Sequence, residues 1–157
     1  MRIQAIRPSE LPLLEALLDL FGRAFDEEHT YGASRPDPAY QRRLLASDTF
    51  LALVALEALD GVESVVGGLC AYELRKFEQA RSELYIYDLA VDASHRRQGI
   101  ATALIERLRE MAEERGAWVI FVQADRDDAP AVALYESLGK REEVLHFDIR
   151  PSEPRGR

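Results

Sequence analysis

The chain has 157 residues, of which 47% are hydrophobic and 31% charged, a balance that indicates one folded soluble domain and excludes a disordered protein. The formal net charge of −8 disfavours nucleic acid and anionic membranes as partners and favours a cationic partner. The only cysteine, Cys70, lies in an apolar run, which excludes an internal disulfide and predicts a packed thiol. Since the sequence has neither a signal-peptide pattern nor an apolar run of membrane-spanning length, we predict a cytoplasmic protein.

The first third of the chain predicts a strand, two helices and a loop. Residues 1–7 alternate apolar and polar side chains, which is typical of a short strand. A helix is expected over residues 8–25, opened by a Pro-Ser-Glu sequence. Residues 26–38 are polar and rich in turn formers and predict a functional loop. Asp37 is placed to cap a second short helix over residues 38–46.

The middle of the chain predicts three strands followed by a helix. Residues 49–74 contain two β-type runs joined at Asp60 and Gly61, a strong hairpin signal. Residues 81–92 predict a further strand. Over residues 98–115 the pattern changes to helical periodicity, and the glycine that follows ends that helix.

The last part of the chain predicts a strand, a helix and a strand. Residues 117–124 form a continuous apolar run typical of a central strand covered on both faces. Asp127 or Asp128 then caps a short helix that ends at Gly139. A last strand is expected over residues 141–149. The order of the elements indicates a mixed α/β domain with one central sheet.

The densest cationic stretch, RRQGIA at residues 96–101, lies at the start of the predicted third helix. A helix N-terminus carries unpaired backbone N–H groups and about half a positive charge, so it attracts phosphate. Arg96 and Arg97 add mobile positive charge at that end. Gly99 allows close approach, and Ala101 keeps the first turn free of bulk. The alternative is a solvated helix start whose arginines serve only solubility.

In this strand–turn–helix context the stretch resembles the acetyl-CoA motif of the GCN5-related N-acetyltransferases (GNAT): Arg or Gln, two residues, Gly, one residue, then Gly or Ala. Arg96, Gly99 and Ala101 match it. The resemblance implies a GNAT fold, an α/β (α+β) fold with a mixed central β-sheet, a splayed strand pair and flanking helices. The chain length fits one domain, over residues 1–150, and the charged, proline-containing residues 151–157 are expected to form a loosely ordered tail. It also implies acetyl-CoA as cosubstrate, with its pyrophosphate on the turn and its pantetheine arm beside the splaying strand. The implied cofactor-binding residues are Leu89, Ala90, Val91, Arg96, Arg97, Gln98, Gly99, Ile100, Ala101, Thr102, Asp128, Ala131 and Tyr135.

A second motif carries a candidate catalytic tyrosine. The family has an A-x-x-L-Y helix whose tyrosine lies near the CoA sulfur and protonates the leaving thiolate, and the sequence from Ala131 to Tyr135 resembles it. The alternative is that Tyr135 is a core aromatic. Family members often have Asn three residues before that Ala, where this chain has Asp128. An aspartate caps the helix equally well but offers the pantetheine no amide N–H.

Asp88 is the candidate general base. Acetyl transfer to an alkylamine requires loss of the proton from a group with a pKa near ~10, and a carboxylate accepts it directly or through water. Asp88 is an ionisable residue in an otherwise apolar strand, which is costly away from a cleft. The alternative is an aspartate paired with an arginine at a strand edge. Strand alternation places Tyr85 and Tyr87 on the opposite face, and these tyrosines, Glu83 or a water chain remain other candidates for the base.

Within the superfamily, segments spread from end to end, among them TYGASRPD and REEVLHFDI, resemble the aminoglycoside 3-N-acetyltransferases. This resemblance implies acetylation of the 3-amino group of the deoxystreptamine ring, antibiotic resistance and a homodimer. The residues expected to bind the cationic acceptor are Tyr31, Glu83, Asp88, Asp125, Asp127 and Asp148. The alternatives are a polyamine or protein N-acetyltransferase and a non-catalytic acyl-CoA-binding regulator, although the presence of both candidate catalytic residues argues against the regulator.

No metal site is expected. Residues 125–136 space their acids like a calcium loop, but Pro130 stands where that loop needs a sharply turning glycine. His29, His95 and His146 share no metal-binding spacing.

Overall fold

The computed structural model describes residues 1–59 and 61–151. The described chain divides into two parts, Met1–Gln123 and the residues from Ala124 onward, and each is described by itself. Asp60 of the predicted hairpin and all but the first residue of the predicted tail lie outside the described residues. In the portion of the chain that is described, no helix combines the length and apolar character needed to cross a membrane.

The first part is built on a mixed sheet whose five described strands lie in chain order. Neighbouring strands from the first to the fourth are antiparallel, and the fourth and fifth are parallel. This arrangement confirms the predicted mixed sheet. The strands are β1 Arg2–Ala5, β2 Phe50–Leu59, β3 Val62–Arg75, β4 Ser82–Val91 and β5 Ala117–Val122.

The helices follow the capping signals of the sequence. Asp37 accepts a 2.8 Å hydrogen bond from the backbone N–H of Tyr40 and so caps the second helix, as predicted. Gly116 has a φ of +68° just beyond the third helix. A single π-helical turn, His29–Ala33, lies within the predicted loop. The helices are α1 Leu11–Phe25, α2 Pro38–Ala46, α3 Ile100–Glu114 and, in the second part, α4 Ala129–Leu138.

Helices cover both faces of the sheet. Leu17 and Phe21 of α1 pack with Val54 of β2 in one buried cluster. Gly68 of β3 allows this close contact, since a Cβ there would overlap a Leu17 methyl group. Helix α3 contacts β3, β4 and β5, and its Leu104 is fully buried. The sheet therefore has an α1 face and an α3 face.

Two predictions about the end of the chain are wrong. Strand β5 was expected at the centre of the sheet, but among the described residues it pairs only with β4, and Trp118 is 67% exposed. Residues 141–149 were expected to form a strand and have no regular structure. Apolar alternation indicates β potential, but a strand forms only where a second strand supplies hydrogen-bond partners. Residues 141–149 belong to no described sheet.

Candidate active site

Strand β4 carries a bulge at Tyr87. Asp88 pairs with Cys70 and Tyr85 pairs with Tyr72, whereas Tyr87 has no partner of its own on β3. Cys70 and Tyr72 are two residues apart and share a face, so Asp88 and Tyr85 share it as well. The Tyr87 ring lies 5.8 Å from the rings of both Tyr72 and Tyr85. The expectation that Tyr85 and Tyr87 face away from Asp88 is therefore wrong, because it assumed an unbroken ladder.

Asp88 is a half-buried carboxylate with a tyrosine hydrogen-bonded to it. The Tyr31 hydroxyl donates to Asp88 Oδ2 at 3.0 Å. Burial raises the pKa of Asp88 above its ordinary value, the Tyr31 hydrogen bond opposes that rise, and the nearby Glu27 carboxylate adds to it. In the described part of the chain Asp88 forms no ion pair, so the reading of Asp88 as the partner of an arginine is not supported. A carboxylate of raised pKa is a better proton acceptor than an ordinary one.

Tyr31 reaches Asp88 from the π-helical turn His29–Ala33. Its ring packs edge-on against Phe21 at 5.9 Å and tilted against Phe25 at 5.7 Å, both on α1. Burial and the Asp88 charge raise the pKa of Tyr31 well above its usual range, so the hydroxyl keeps its proton and remains a donor. Sequence reasoning proposed Tyr31 as a substrate contact, and the structure brings it to Asp88.

The tyrosines around Asp88 form a continuous aromatic surface. The rings of Tyr85 and Phe121 are stacked with centroids 4.9 Å apart, and Tyr87 connects Tyr85 to Tyr72. Burial raises the pKa of Tyr72 and of Tyr85, which makes both hydroxyls poor proton acceptors near neutral pH. Tyr87 is 61% exposed and offers a ring face to a cation or a sugar ring. Among these side chains Asp88 is the most suitable base.

Of the other predicted carboxylates, only Glu83 belongs to the same part of the chain as Asp88, and it does not lie beside it. Glu83 is five residues back on β4, roughly 15 Å away along the strand, and lies 3.5 Å from the Lys76 ammonium group. Asp125 and Asp127 belong to the second part, in the turn before α4, where their carbonyl groups accept backbone hydrogen bonds. Asp148, also in the second part, lies 3.1 Å from His146 Nε2. A shared role for these three aspartates with Asp88 stays a prediction.

One edge of β4 has no described strand beside it from Tyr87 onward. Strand β5 ends at Val122, opposite Ile86, so no described strand lies on that side of the last five residues of β4. Leu89, Ala90 and Val91 occupy this stretch. Their backbone groups on this edge fit an extended ligand that carries amides, as the pantetheine arm does. A splay of β4 away from its neighbouring strand stays a prediction.

The turn before α3 has the shape of an anion cradle. Arg97 and Gly99 have φ values of +59° and +78°, and Gly99 precedes α3 without a side-chain cap on the helix amides. A Cβ built at Gly99 would meet nothing within 4 Å, so the space above the turn is open. Arg96, Arg97 and Gln98 are exposed. These residues fit the pyrophosphate group of a CoA molecule, with Ile100 to Thr102 forming the first helical turn behind it.

In the second part, α4 places the candidate proton donor. Asp128 caps α4 by accepting a 3.2 Å hydrogen bond from the Ala131 N–H, which settles the choice left between two aspartates. Tyr135 lies one turn after Ala131 on the same side of the helix. Burial and the Asp128 charge raise the pKa of Tyr135, so its hydroxyl is protonated at neutral pH. Its approach to a CoA sulfur stays a prediction.

Sequence reasoning missed two residues of this site. Glu27 influences the charge of both Asp88 and Tyr31, and Arg35 binds the backbone of Tyr31. Both lie within the predicted functional loop, whose turn-rich composition was the only available signal. Cys70, in contrast, was predicted to be packed, and it packs against the α1 cluster, where burial raises the pKa of its thiol.

Comparison with known proteins places this architecture among acetyltransferases. The model of the acetyltransferase (GNAT) family matches residues 14–140. The solved aminoglycoside acetyltransferase HMB0005, from an uncultured soil metagenomic sample, is 59% identical over 96% of this chain and 98% of its own, with a TM-score of 0.91. The aminoglycoside acetyltransferase meta-AAC0020, also from an uncultured soil metagenomic sample and solved in complex with sisomicin, is 33% identical over 96% of both chains, with a TM-score of 0.85.

Curated relatives match a shorter stretch. The ribosomal protein bS18-alanine N-acetyltransferase of Escherichia coli (strain K12) is 36% identical over 70 residues, 45% of this chain and 47% of that protein. The chain thus spans about half the length of the curated relatives it matches.

Proposed function

The chain belongs to the acetyltransferase (GNAT) family, whose members use acetyl-CoA, and on this premise we propose that it acetylates an amine of an aminoglycoside. The observation that carries the proposal is the position of Asp88: a half-buried carboxylate, on a tyrosine-lined face, within the stretch of β4 that has no described strand on one side. Likeness over nearly the whole chain to two aminoglycoside acetyltransferases supports the choice of acceptor.

Within this proposal the acceptor is the 3-amino group of the deoxystreptamine ring. Acetylation removes one positive charge from the drug, so resistance to it belongs to the same proposal, as do a cytoplasmic location and a homodimer. The net charge of −8 supports a cationic acceptor.

The proposed cofactor site uses the turn and the strand edge. The amides at the start of α3, with Arg96 and Arg97, bind the pyrophosphate, and the backbone of residues 89–91 binds the pantetheine amides. The cosubstrate supplies an acetyl thioester. Asp88 lies next to this strand edge, so an amine bound at its carboxylate is held near the position of the thioester carbonyl.

Asp88 accepts the proton that the acceptor ammonium group must lose before it can attack. The raised pKa of Asp88 reduces the difference between the pKa of this carboxyl and that of the acceptor ammonium group. The Tyr31 hydrogen bond orients the carboxylate. Tyr135 then donates its hydroxyl proton toward the departing thiolate. The tyrosine surface, with Tyr87 outermost, packs against the acceptor ring and its remaining charges.

A second candidate acceptor is the N-terminal amine of a protein. It is favoured by the match to ribosomal-protein alanine N-acetyltransferases over 70 residues. Polyamines and a non-catalytic acyl-CoA-binding role are further alternatives, and the same experiment separates all of them.

The test measures thiol release from acetyl-CoA with a panel of amines: sisomicin, gentamicin, spermidine and a peptide with an N-terminal alanine. We expect turnover with the two drugs and NMR spectra that show an acetamide at the 3-amino position. Release with the peptide or spermidine alone would replace the proposed acceptor, and acetyl-CoA binding without release for any amine would favour the regulator.

A further inference from the structure

Arg35 joins the loop that carries Tyr31 to helix α1. Its Nε and Nη2 atoms donate to the Tyr31 carbonyl oxygen at 3.0 and 2.8 Å. Its Nη1 donates to Glu15 at 2.5 Å and its Nη2 to Asp19 at 2.8 Å, both on α1. The guanidinium group thus connects two carboxylates of one helix to a single backbone carbonyl of the loop.

This contact differs from the exposed ion pairs elsewhere on the chain. The Arg35 side chain is only 19% exposed. Glu15 is held from its other side as well, because Gln41 Nε2 donates to it at 2.5 Å, and Gln41 of α2 is almost fully buried. The connection therefore ties α1, α2 and the loop together at one point, whereas an isolated surface pair contributes little.

Fixing the Tyr31 backbone also fixes its hydroxyl. The ring lies against Phe21 and Phe25, which limits its rotation, and the hydroxyl is then directed at Asp88. With the backbone untied, the ring could leave these contacts and the hydrogen bond would be lost. A polar loop keeps one conformation only where such contacts hold it.

We propose that Arg35 is a positioning residue: by fastening the loop to α1, it keeps the Tyr31 hydroxyl on Asp88 as a hydrogen-bond donor. The proposal rests on the proposed function, in which Asp88 accepts the proton of the acceptor amine. Arg35 itself touches neither Asp88 nor the reacting atoms.

The consequence is a change in pH dependence. The Tyr31 hydrogen bond favours the charged form of Asp88, so losing it raises the pKa of this carboxyl further. A base must be ionised to act, and the acidic limb of kcat/KM therefore moves to higher pH. The titratable groups that face Asp88 are Glu27, Tyr31, Cys70, Tyr72 and Tyr85. The single Arg35 variants change none of these groups.

The experiment records pH profiles of kcat/KM for Tyr31→Phe, Arg35→Ala and Arg35→Lys, and for the double variant that combines Tyr31→Phe with Arg35→Ala. At the acidic end, kcat/KM of Tyr31→Phe is expected to be about tenfold lower than that of wild type, because one hydrogen bond to a charged group is lost. Arg35→Ala should lower kcat/KM at the acidic end as well, and Arg35→Lys should lower it less. In the double variant, kcat/KM should be no lower than in Tyr31→Phe, because both changes remove the same hydrogen bond.

Arg107→Ala is the matched control, since it removes an arginine with a 2.6 Å ion pair to Glu110 on α3. It should keep the wild-type profile. A folded Arg35→Ala protein with the wild-type profile would overturn the proposal. If Arg35→Ala does not fold, Asp19→Asn removes one anchor: an upward shift of the acidic limb supports the proposal, and a wild-type limb overturns it.

A readout without turnover separates this inference from the proposed function. The ¹³C shift of the Asp88 carboxyl carbon, titrated in the protein alone, should show a higher pKa for Asp88 in Arg35→Ala than in wild type. If the pKa of Asp88 is higher in Arg35→Ala but Asp88→Asn keeps full activity, the positioning role of Arg35 is supported and Asp88 is not the base. If Asp88→Asn is inactive and Tyr31→Phe shifts the limb while Arg35→Ala does not, only the positioning role fails.

Discussion

Gly99→Val should separate cofactor binding from folding. Gly99 has a φ of +78° at the start of α3, a conformation that costs a residue with a side chain about 1–2 kcal/mol. Nothing lies within 4 Å of an added Cβ, so the protein itself has room for the valine. For a chain of this size, that strain corresponds to a melting temperature lower by about 2–8 °C.

The effect on acetyl-CoA should be much larger than the effect on folding. Relief of the strain turns the amides of the anion cradle, and the valine methyl groups project into the space that we assign to the pyrophosphate. Loss of one or two hydrogen bonds to a charged phosphate costs about 3 kcal/mol, which corresponds to a dissociation constant raised roughly 100-fold. Isothermal titration calorimetry with acetyl-CoA at fixed ionic strength measures it.

Gly116→Val supplies the matched control. Gly116 lies just beyond the other end of α3 with a φ of +68°, and a Cβ there also meets nothing within 4 Å. It should lose a similar amount of stability and keep its affinity for acetyl-CoA. An unchanged dissociation constant in folded Gly99→Val, or an equal rise in Gly116→Val, would refute the assignment of the cradle.

Two further substitutions test the catalytic roles. Tyr135→Phe should retain acetyl-CoA affinity and lose turnover toward the lower end of the ~10²–10⁴-fold typical of general acids, since water partly replaces the hydroxyl; wild-type turnover would return Tyr135 to a packing role. Asp88→Asn should lose turnover with gentamicin-type drugs at every pH from about 6 to 9 and keep its acetyl-CoA affinity. Because the folded-state pKa of Asp88 is raised, folding favours its protonated form. The stability that this group contributes is therefore present at pH values below its ordinary pKa and is lost as pH rises through the raised pKa. The melting temperature of Asp88→Asn at neutral pH should therefore equal or exceed that of wild type, whereas a clear decrease would indicate a structural carboxylate.

Local signals account for the elements that sequence predicted well. Asp37 and Asp128 cap their helices through their own side chains, so a few neighbouring residues determine where these helices begin. Gly99 and Gly116 bracket α3 in the same way. The strand expected over residues 141–149 failed because pairing depends on a partner that no local pattern specifies.

The candidate site was predicted in its residue types and missed in its geometry. Asp88 stood out as a charge in an apolar strand, and the turn at Gly99 stood out by its spacing. The side of the sheet that Asp88 faces depends on the register between β3 and β4, which alternation within one strand cannot give. The role of Arg35 depends on contacts with residues 16 and 20 positions earlier in the chain.

The bulge at Tyr87 explains why a carboxylate is tolerated in this strand. In an unbroken ladder Asp88 would point to the same side as Leu84 and Ile86, whose exposed fractions are 0% and 2%. An unpaired carboxylate buried there would cost several kcal/mol. The extra residue instead turns Asp88 toward α1, where the Tyr31 hydroxyl is within hydrogen-bond distance. The bulge comes just after β5 has ended. A single irregularity in the ladder therefore places the proposed proton acceptor at the open strand edge.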